Sequence, residues 1–367
     1  MLLAPILIGT VMAVSLWEWQ FKTAQLKNPE ELAFSAGTET FLGEYQGSPI
    51  HCLKISGSCI DAARERGFQK TMVWLGNSQL HAIVYYKTGQ VNAPPAIFQH
   101  VIQKGIDLVT LSQPNANFQE QLVLFEHFKS QLNLQALLLP AVFDDMRETE
   151  IRNDVKTALD NPETISSLQK TAVGKDIVLR NTGQKISKDE DLIGLSHSLQ
   201  EEVETWANHW LADHWAVWAR RGEARYATFL ALYDLRNWLF GITPQSKRKI
   251  VESSYQKNFS ALESILSSAA DANIRVLLYI APIRQDLSLP YIAGEYSHFK
   301  TEVEQAATKY GANFVNLEKL VPPELWGADH PQNGEVVDFM HFQASGHAIF
   351  GQKLIELIDD TFLAEES

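Results

Sequence analysis

A serine hydroxyl is a poor nucleophile until an imidazole takes its proton and a third group orients that imidazole. Two segments of this chain carry the residue types for such an arrangement. Trp74-Leu75-Gly76-Asn77-Ser78-Gln79 ends a short apolar run with a serine in a turn, and Asp338-Phe339-Met340-His341-Phe342 sets an aspartate three residues before a histidine. The chemistry these residues suit is attack of Ser78 on an acyl carbonyl. His341 would remove the serine proton and return it to the leaving oxygen, and Asp338 would hold the imidazole's tautomer and direction. Read separately, Ser78 is an ordinary turn serine, Asp338 a helix cap and His341 a packed surface histidine. Only the combination points to catalysis.

The combination requires elements that bring distant segments together. Thr71 to Leu75, Ile106 to Leu111, Leu134 to Val142, Ile274 to Ala281 and Asn313 to Leu317 are short, largely apolar runs separated by helix-like sequence. That pattern predicts a parallel sheet covered by helices on both faces. Sites in such sheets form beyond the C-terminal ends of the strands, which is where Ser78 would stand. A helix-like tail from Gln343 to Ile358 follows the histidine segment. From about Arg147 to Leu262 strands are lacking and tryptophans gather, at Trp206, Trp210, Trp215, Trp218 and Trp238. A helical insertion is predicted there. Its tryptophans are the inner face of a helical bundle, a lid, or a surface that meets a membrane or a membrane partner.

Gly76-Asn77-Ser78 after a strand, with Asp338-x-x-His341 before a final helix and Gly346 close behind, resembles the SGNH (GDSL-type) hydrolase superfamily. The resemblance implies a flavodoxin-like three-layer α/β fold with a parallel sheet, and it spans about Lys70 to Leu363 outside the insertion. It also implies Ser78 as nucleophile, His341 as base and Asp338 as its orienting partner. An N-terminal apolar segment and inserted helices are further similar to the membrane-attached subgroup that moves acyl groups onto cell-surface polymers, such as the D-alanyl transfer and alginate acetylation proteins.

The chain departs from the family pattern in three places. Asn77 stands where the family has aspartate. The loop after the second strand, Ser112-Gln113-Pro114-Asn115-Ala116-Asn117, lacks the family's glycine, and the loop after the third, Pro140-Ala141-Val142-Phe143-Asp144-Asp145, lacks its asparagine. A tetrahedral intermediate still needs preorganised donors. Asn117, or failing it Asn115, is the candidate amide, with turn-shaping as the alternative for both. An ionised aspartate cannot donate a hydrogen bond, so the Asp144-Asp145 loop is expected to orient Arg147 or the acceptor. His81 lies one helical turn beyond Ser78 and is a candidate substrate contact. Arg284, Trp326 and His330 follow later strands and are weaker candidates for the mouth of the cleft.

The formal net charge of −13 over 367 residues argues against a nucleic-acid partner, which would need basic patches. Leu2 to Trp17 contains no charged residue. Residues 1–24 are read as an uncleaved membrane anchor ahead of a domain at 25–367, with a cleaved signal or a buried core helix as alternatives. The two cysteines, Cys52 and Cys59, enclose a small loop containing Gly57. A disulfide is expected if this part of the chain is exported, and two reduced thiols if it is not. With no Gly-rich phosphate loop and no metal-spaced cluster, no cofactor or metal is expected.

Three functions fit these residues. One is extracytoplasmic O-acyl transfer, acetyl by default, to a cell-surface or secreted glycan, drawing on a multi-spanning membrane protein for the acyl donor. Another is hydrolysis of small carboxylic esters by a membrane-tethered, periplasmic or extracellular enzyme of the same fold. The third is a non-catalytic carbohydrate-binding protein that keeps the fold, which the missing glycine and asparagine would favour.

Overall fold

The computed structural model describes residues 38–40, 49–52, 57–80, 82–84, 93–112, 116–182, 247–329 and 336–363. The expected anchor at 1–24, the tryptophans from Trp206 to Trp238, and His81, Asn115 and His330 lie outside these residues. Among the described residues, no helix is long and apolar enough to cross a membrane. The chain divides into two compact units, Met1–Ala33 with Gln184–Ser246, and Phe34–Gly183 with Lys247–Ser367. All described residues belong to the second.

The central sheet contains the five predicted strands and one more. In chain order they are β2 (Ile50–Cys52), β3 (Lys70–Gly76), β5 (Ile106–Ser112), β6 (Leu134–Ala141), β7 (Arg275–Ile280) and β8 (Asn313–Asn316). Two short antiparallel pairs stand apart from it: β1 (Thr38–Thr40) with β4 (Ala82–Val84), and β9 (Trp326–Asp329) with β10 (Val336–Phe342). The order across the central sheet is β2-β5-β3-β6-β7-β8, and every neighbouring pair is parallel. Leaving out the edge strand β2, the order is that of a flavodoxin-like sheet, in which the chain starts near the middle and winds outward to both sides. The sixth strand is three residues long, too short to show a period in the sequence.

Alternation along each strand sorts its side chains onto two faces. Val73 and Leu75 of β3, Leu137 and Leu139 of β6 and Leu278 and Ile280 of β7 form one core. It is covered by α3 (Phe118–Gln131), α6 (Glu252–Asp271) and α7 (Ala293–Tyr310). Met72, Trp74, Leu138, Leu277 and Tyr279 face the other way, under α2 (Ala93–Ile102) and α8 (Ala344–Ile358). Side chains buried this fully contribute ~1.5–3 kcal/mol each, which is why both faces of the strands are apolar. Trp74 keeps its polar atom satisfied at that depth by donating its indole N–H to the Tyr279 hydroxyl, 3.0 Å away. A short helix α1 (Gly57–Glu65) follows β2 in the chain, and Cys52 at the end of β2 is joined to Cys59 in α1.

Two further helices, α4 (Pro162–Leu168) and α5 (Ala172–Thr182), send Leu168, Ile177 and Val178 into the first core. Helices on both sides of residues 184–246 therefore belong to the sheet-bearing unit. Gly174 marks a close backbone approach: a Cβ there would lie 2.0 Å from the Leu168 carbonyl oxygen and 2.7 Å from its carbon. Because the obstacle is main chain, Gly174→Ala is expected to destabilise the unit by about 3 kcal/mol. Urea denaturation would show this as a lower midpoint, and an unchanged midpoint would contradict the packing described here. Gly311, with φ of 69°, ends α7 in the left-handed conformation that glycine adopts without steric cost.

Candidate active site

β3 ends at Gly76, and Ser78–Leu80 form a single 3₁₀ turn directly beyond it. The turn is built by Asn77. Its side-chain Oδ1 accepts the Gln79 N–H at 3.0 Å, and its carbonyl accepts the Leu80 N–H at 3.1 Å and the Ser112 hydroxyl at 2.9 Å. This is an Asx-type turn, in which a short side chain replaces a backbone partner. Ser112 ends the neighbouring strand β5, so the sheet itself holds the serine-bearing turn.

His341 lies in β10, 263 residues further along the chain, and its Nε2 is 2.7 Å from Ser78 Oγ. Both residues are buried, at 9% and 7% exposure, so water competes little for this contact. If the serine O–H donates to Nε2, the neutral imidazole must carry its proton on Nδ1. Asp338 lies in the same strand by its backbone, and its side chain is outside what the structure describes. In a regular strand, residues three apart point to opposite faces. The pairing of β10 with β9 slips between Val337 and Phe342, so strict alternation does not hold across this stretch.

Asn117 is buried and caps α3. Its Oδ1 accepts the Glu120 N–H at 3.0 Å, its own N–H is met by the Glu120 carboxylate, and its Nδ2 donates to the Glu150 carbonyl at 2.9 Å. Helix capping therefore takes the amide that the sequence offered as an oxyanion donor. Glu120 in turn accepts the Arg152 N–H and guanidinium, which ties the chain after β6 to the start of α3.

The two aspartates after β6 have different environments. Asp144 accepts Arg147 Nη1 at 3.4 Å, the Tyr291 hydroxyl at 3.0 Å and the Arg248 guanidinium. Arg248 also lies over the Phe339 ring, 5.2 Å from its centre, which couples this cluster to the strand bearing His341. Asp145 is buried, hydrogen-bonded to the Asn77 side chain, and one of its oxygens has no partner among the described residues. Burial, and next the charge of Asp144, push its carboxyl well above the usual carboxylate range, while the Asn77 bond pulls the other way. An ionised carboxylate at this position could only accept. The fold favours the neutral acid at Asp145, and a neutral acid can donate.

Gln79 is another residue that sequence reasoning passed over. Its side-chain amide donates to the Pro282 and Met340 carbonyls, each at 2.8 Å. A polar residue directly after a serine in an apolar context was the available signal, because a buried amide must find partners. Arg284 holds its place at the loop after β7, where its backbone N–H reaches the Phe339 carbonyl at 3.2 Å. Trp326 is buried in the second core, donating its indole N–H to the Val321 carbonyl, so it is core and not cleft lining.

No family model and no curated protein matches this chain. Among solved structures, the chain is similar to a GDSL-like lipase from Bacteroides thetaiotaomicron, at 11% identity over 81% of this chain and 95% of that one, with a TM-score of 0.34. It is similar to an acetylxylan esterase from Geobacillus stearothermophilus, at 8% identity over 78% and 93%, with a TM-score of 0.37. It is also similar to an alpha/beta hydrolase enzyme from the metagenome of Lake Arreo, Spain, at 8% identity over 78% and 93%, with a TM-score of 0.38.

Proposed function

We propose that this protein performs serine-dependent acyl chemistry on carboxylic esters, with Ser78 as nucleophile and His341 as base. The observation that carries this reading is the 2.7 Å contact between Ser78 Oγ and His341 Nε2, buried beyond the C-terminal end of a central strand in a parallel sheet. The arrangement is of the SGNH type named above. Ser78 Oγ attacks the ester carbonyl as His341 takes its proton, giving a tetrahedral oxyanion. The Ser78 backbone N–H is one donor to that oxyanion. Collapse expels the alcohol, which receives the proton from His341, and leaves an acyl group on Ser78. A second hydroxyl then gives its proton to His341 as it attacks the acyl carbonyl, and collapse breaks the bond to Ser78 Oγ, which receives that proton back from His341.

Within that chemistry, the reading favoured here is transfer of a small acyl group, acetyl by default, to a glycan hydroxyl outside the cytoplasm. The apolar Leu2 to Trp17 segment supports tethering to a membrane, and the Cys52–Cys59 disulfide supports an oxidising compartment. The donor would be an acyl ester delivered by a multi-spanning membrane partner, and Arg147 would contact donor or acceptor. Hydrolysis differs only in that water is the second hydroxyl.

The test is pre-steady-state cleavage of p-nitrophenyl acetate by the full chain, with and without soluble glycan acceptors. A burst followed by slow turnover that accelerates with acceptor is expected. Fast turnover insensitive to acceptor would make the protein a hydrolase. Absence of a burst, of turnover and of labelling by a fluorophosphonate would overturn the acyl-enzyme reading.

A further inference from the structure

The 2.7 Å contact between Ser78 and His341 has to be held from outside the main sheet. β10, which carries His341, pairs with the short strand β9 and slips in register along the way. It is not a member of the six-stranded sheet that positions Ser78, so the ladder of that sheet does not set where His341 stands. Gln79 spans this gap. It follows Ser78 directly, is 4% exposed, and places its Nε2 2.8 Å from the carbonyl of Met340, the residue directly before His341. The same nitrogen is 2.8 Å from the carbonyl of Pro282 in the loop after β7. Both amide hydrogens are thereby used, on two separate elements, and the Gln79 backbone N–H is fixed by Asn77 Oδ1.

We propose that Gln79 is a positioning residue that sets the separation of Ser78 Oγ and His341 Nε2 by bracing β10 and the post-β7 loop against the nucleophile's turn. The proposal rests on the reading of Ser78 and His341 as nucleophile and base. Gln79 touches no reacting atom, and its effect runs through His341. Displacement of a general base by about 1 Å costs on the order of 10²-fold in rate. Losing the two bonds removes the tie from the serine turn to β10 and to the loop after β7, and frees β10 to move by about that much.

The decisive variant is Gln79→Met, which keeps length and bulk and cannot donate. With native circular dichroism, it is expected to lower kcat for p-nitrophenyl acetate on the order of 10²-fold while KM changes less than about threefold. In a His341→Ala background the same substitution should cost less than about twofold, because the group it positions is gone. A crystal structure of Gln79→Met should show Oγ and Nε2 beyond hydrogen-bonding distance. A folded Gln79→Met with kcat within about threefold of wild type, or an equal loss in both backgrounds, would overturn the proposal. If Gln79→Met fails to fold, Gln79→Asn, an amide one methylene short, is expected to show the same kcat-selective loss, and near-native activity in it would overturn the proposal equally. Should the wild type itself lack ester cleavage and fluorophosphonate labelling, the acyl-enzyme reading falls. The crystallographic separation then decides Gln79 alone, and an unchanged 2.7 Å contact counts against it.

Discussion

Replacing Ser78 by alanine or His341 by alanine is expected to lower kcat for ester cleavage on the order of 10⁴-fold, and replacing both should cost little more than either one. The non-additivity follows from geometry. Oγ and Nε2 are 2.7 Å apart and buried together, so each is useful only through the other. A 10⁴-fold loss corresponds to about 5.5 kcal/mol of transition-state stabilisation, far above the cost of removing one exposed polar contact. Single-turnover acylation with p-nitrophenyl acetate, checked by fluorophosphonate labelling, measures the step directly. His341→Ala that keeps more than about a tenth of the acylation rate would show that another group takes the proton. Ser78→Ala that is still labelled would move the nucleophile elsewhere.

Asp145 leads to the second large effect, on stability as a function of pH. Burial and the neighbouring Asp144 raise its carboxyl well above the ordinary value of 3.8 in the fold, whereas in the unfolded chain it titrates near that value. Between the two values the folded state holds the proton and the unfolded state has released it. The stability that comes from neutral Asp145 is therefore complete below about pH 4 and is lost as pH rises toward and through the folded-state value. Asp145→Asn keeps the shape and the acceptor for Asn77 but cannot ionise. It is expected to be more stable than wild type at pH 8 by on the order of 2 kcal/mol, and about equal to it at pH 4. Urea denaturation of both proteins across that range is the measurement. Parallel curves would mean that Asp145 does not hold its proton in the fold.

These residues also mark what could be read in advance. All five predicted strands lie in the sheet: β3, β5, β6 and β7 are buried on both faces and so are largely apolar in consecutive residues, while β8, at the edge, is only half-buried. The edge strand Ile50–Cys52 was not legible, since three residues have no period and its identity comes from pairing with β5. The pairing of Ser78 with His341 was legible because the proposed chemistry restricts residue type and because the turn after a strand is a local feature. The Cys52–Cys59 link was legible for a similar reason, with only a small loop between the two residues.

Asn117 shows the limit. Its sequence context allowed an oxyanion donor or a turn; Glu120, three residues on, completes a local capping box, and the Glu150 carbonyl that takes the amide comes from a separate segment. Asp145 and Gln79 depended still more on distant partners. The carboxyl is pushed above its ordinary range by burial beneath elements from other parts of the chain, and the amide reaches carbonyls at positions 282 and 340.

The sequence by itself determined the residue types able to do acyl chemistry, the apolar strands that carry them and the loop closed by the cysteines, because each depends on neighbours along the chain. Tertiary structure alone decided which polar groups face one another, how far His341 stands from Ser78, and that burial raises the carboxyl of Asp145. Distance, desolvation and the satisfaction of buried hydrogen bonds are properties of groups gathered from separate segments, and they come into being only when the chain closes on itself.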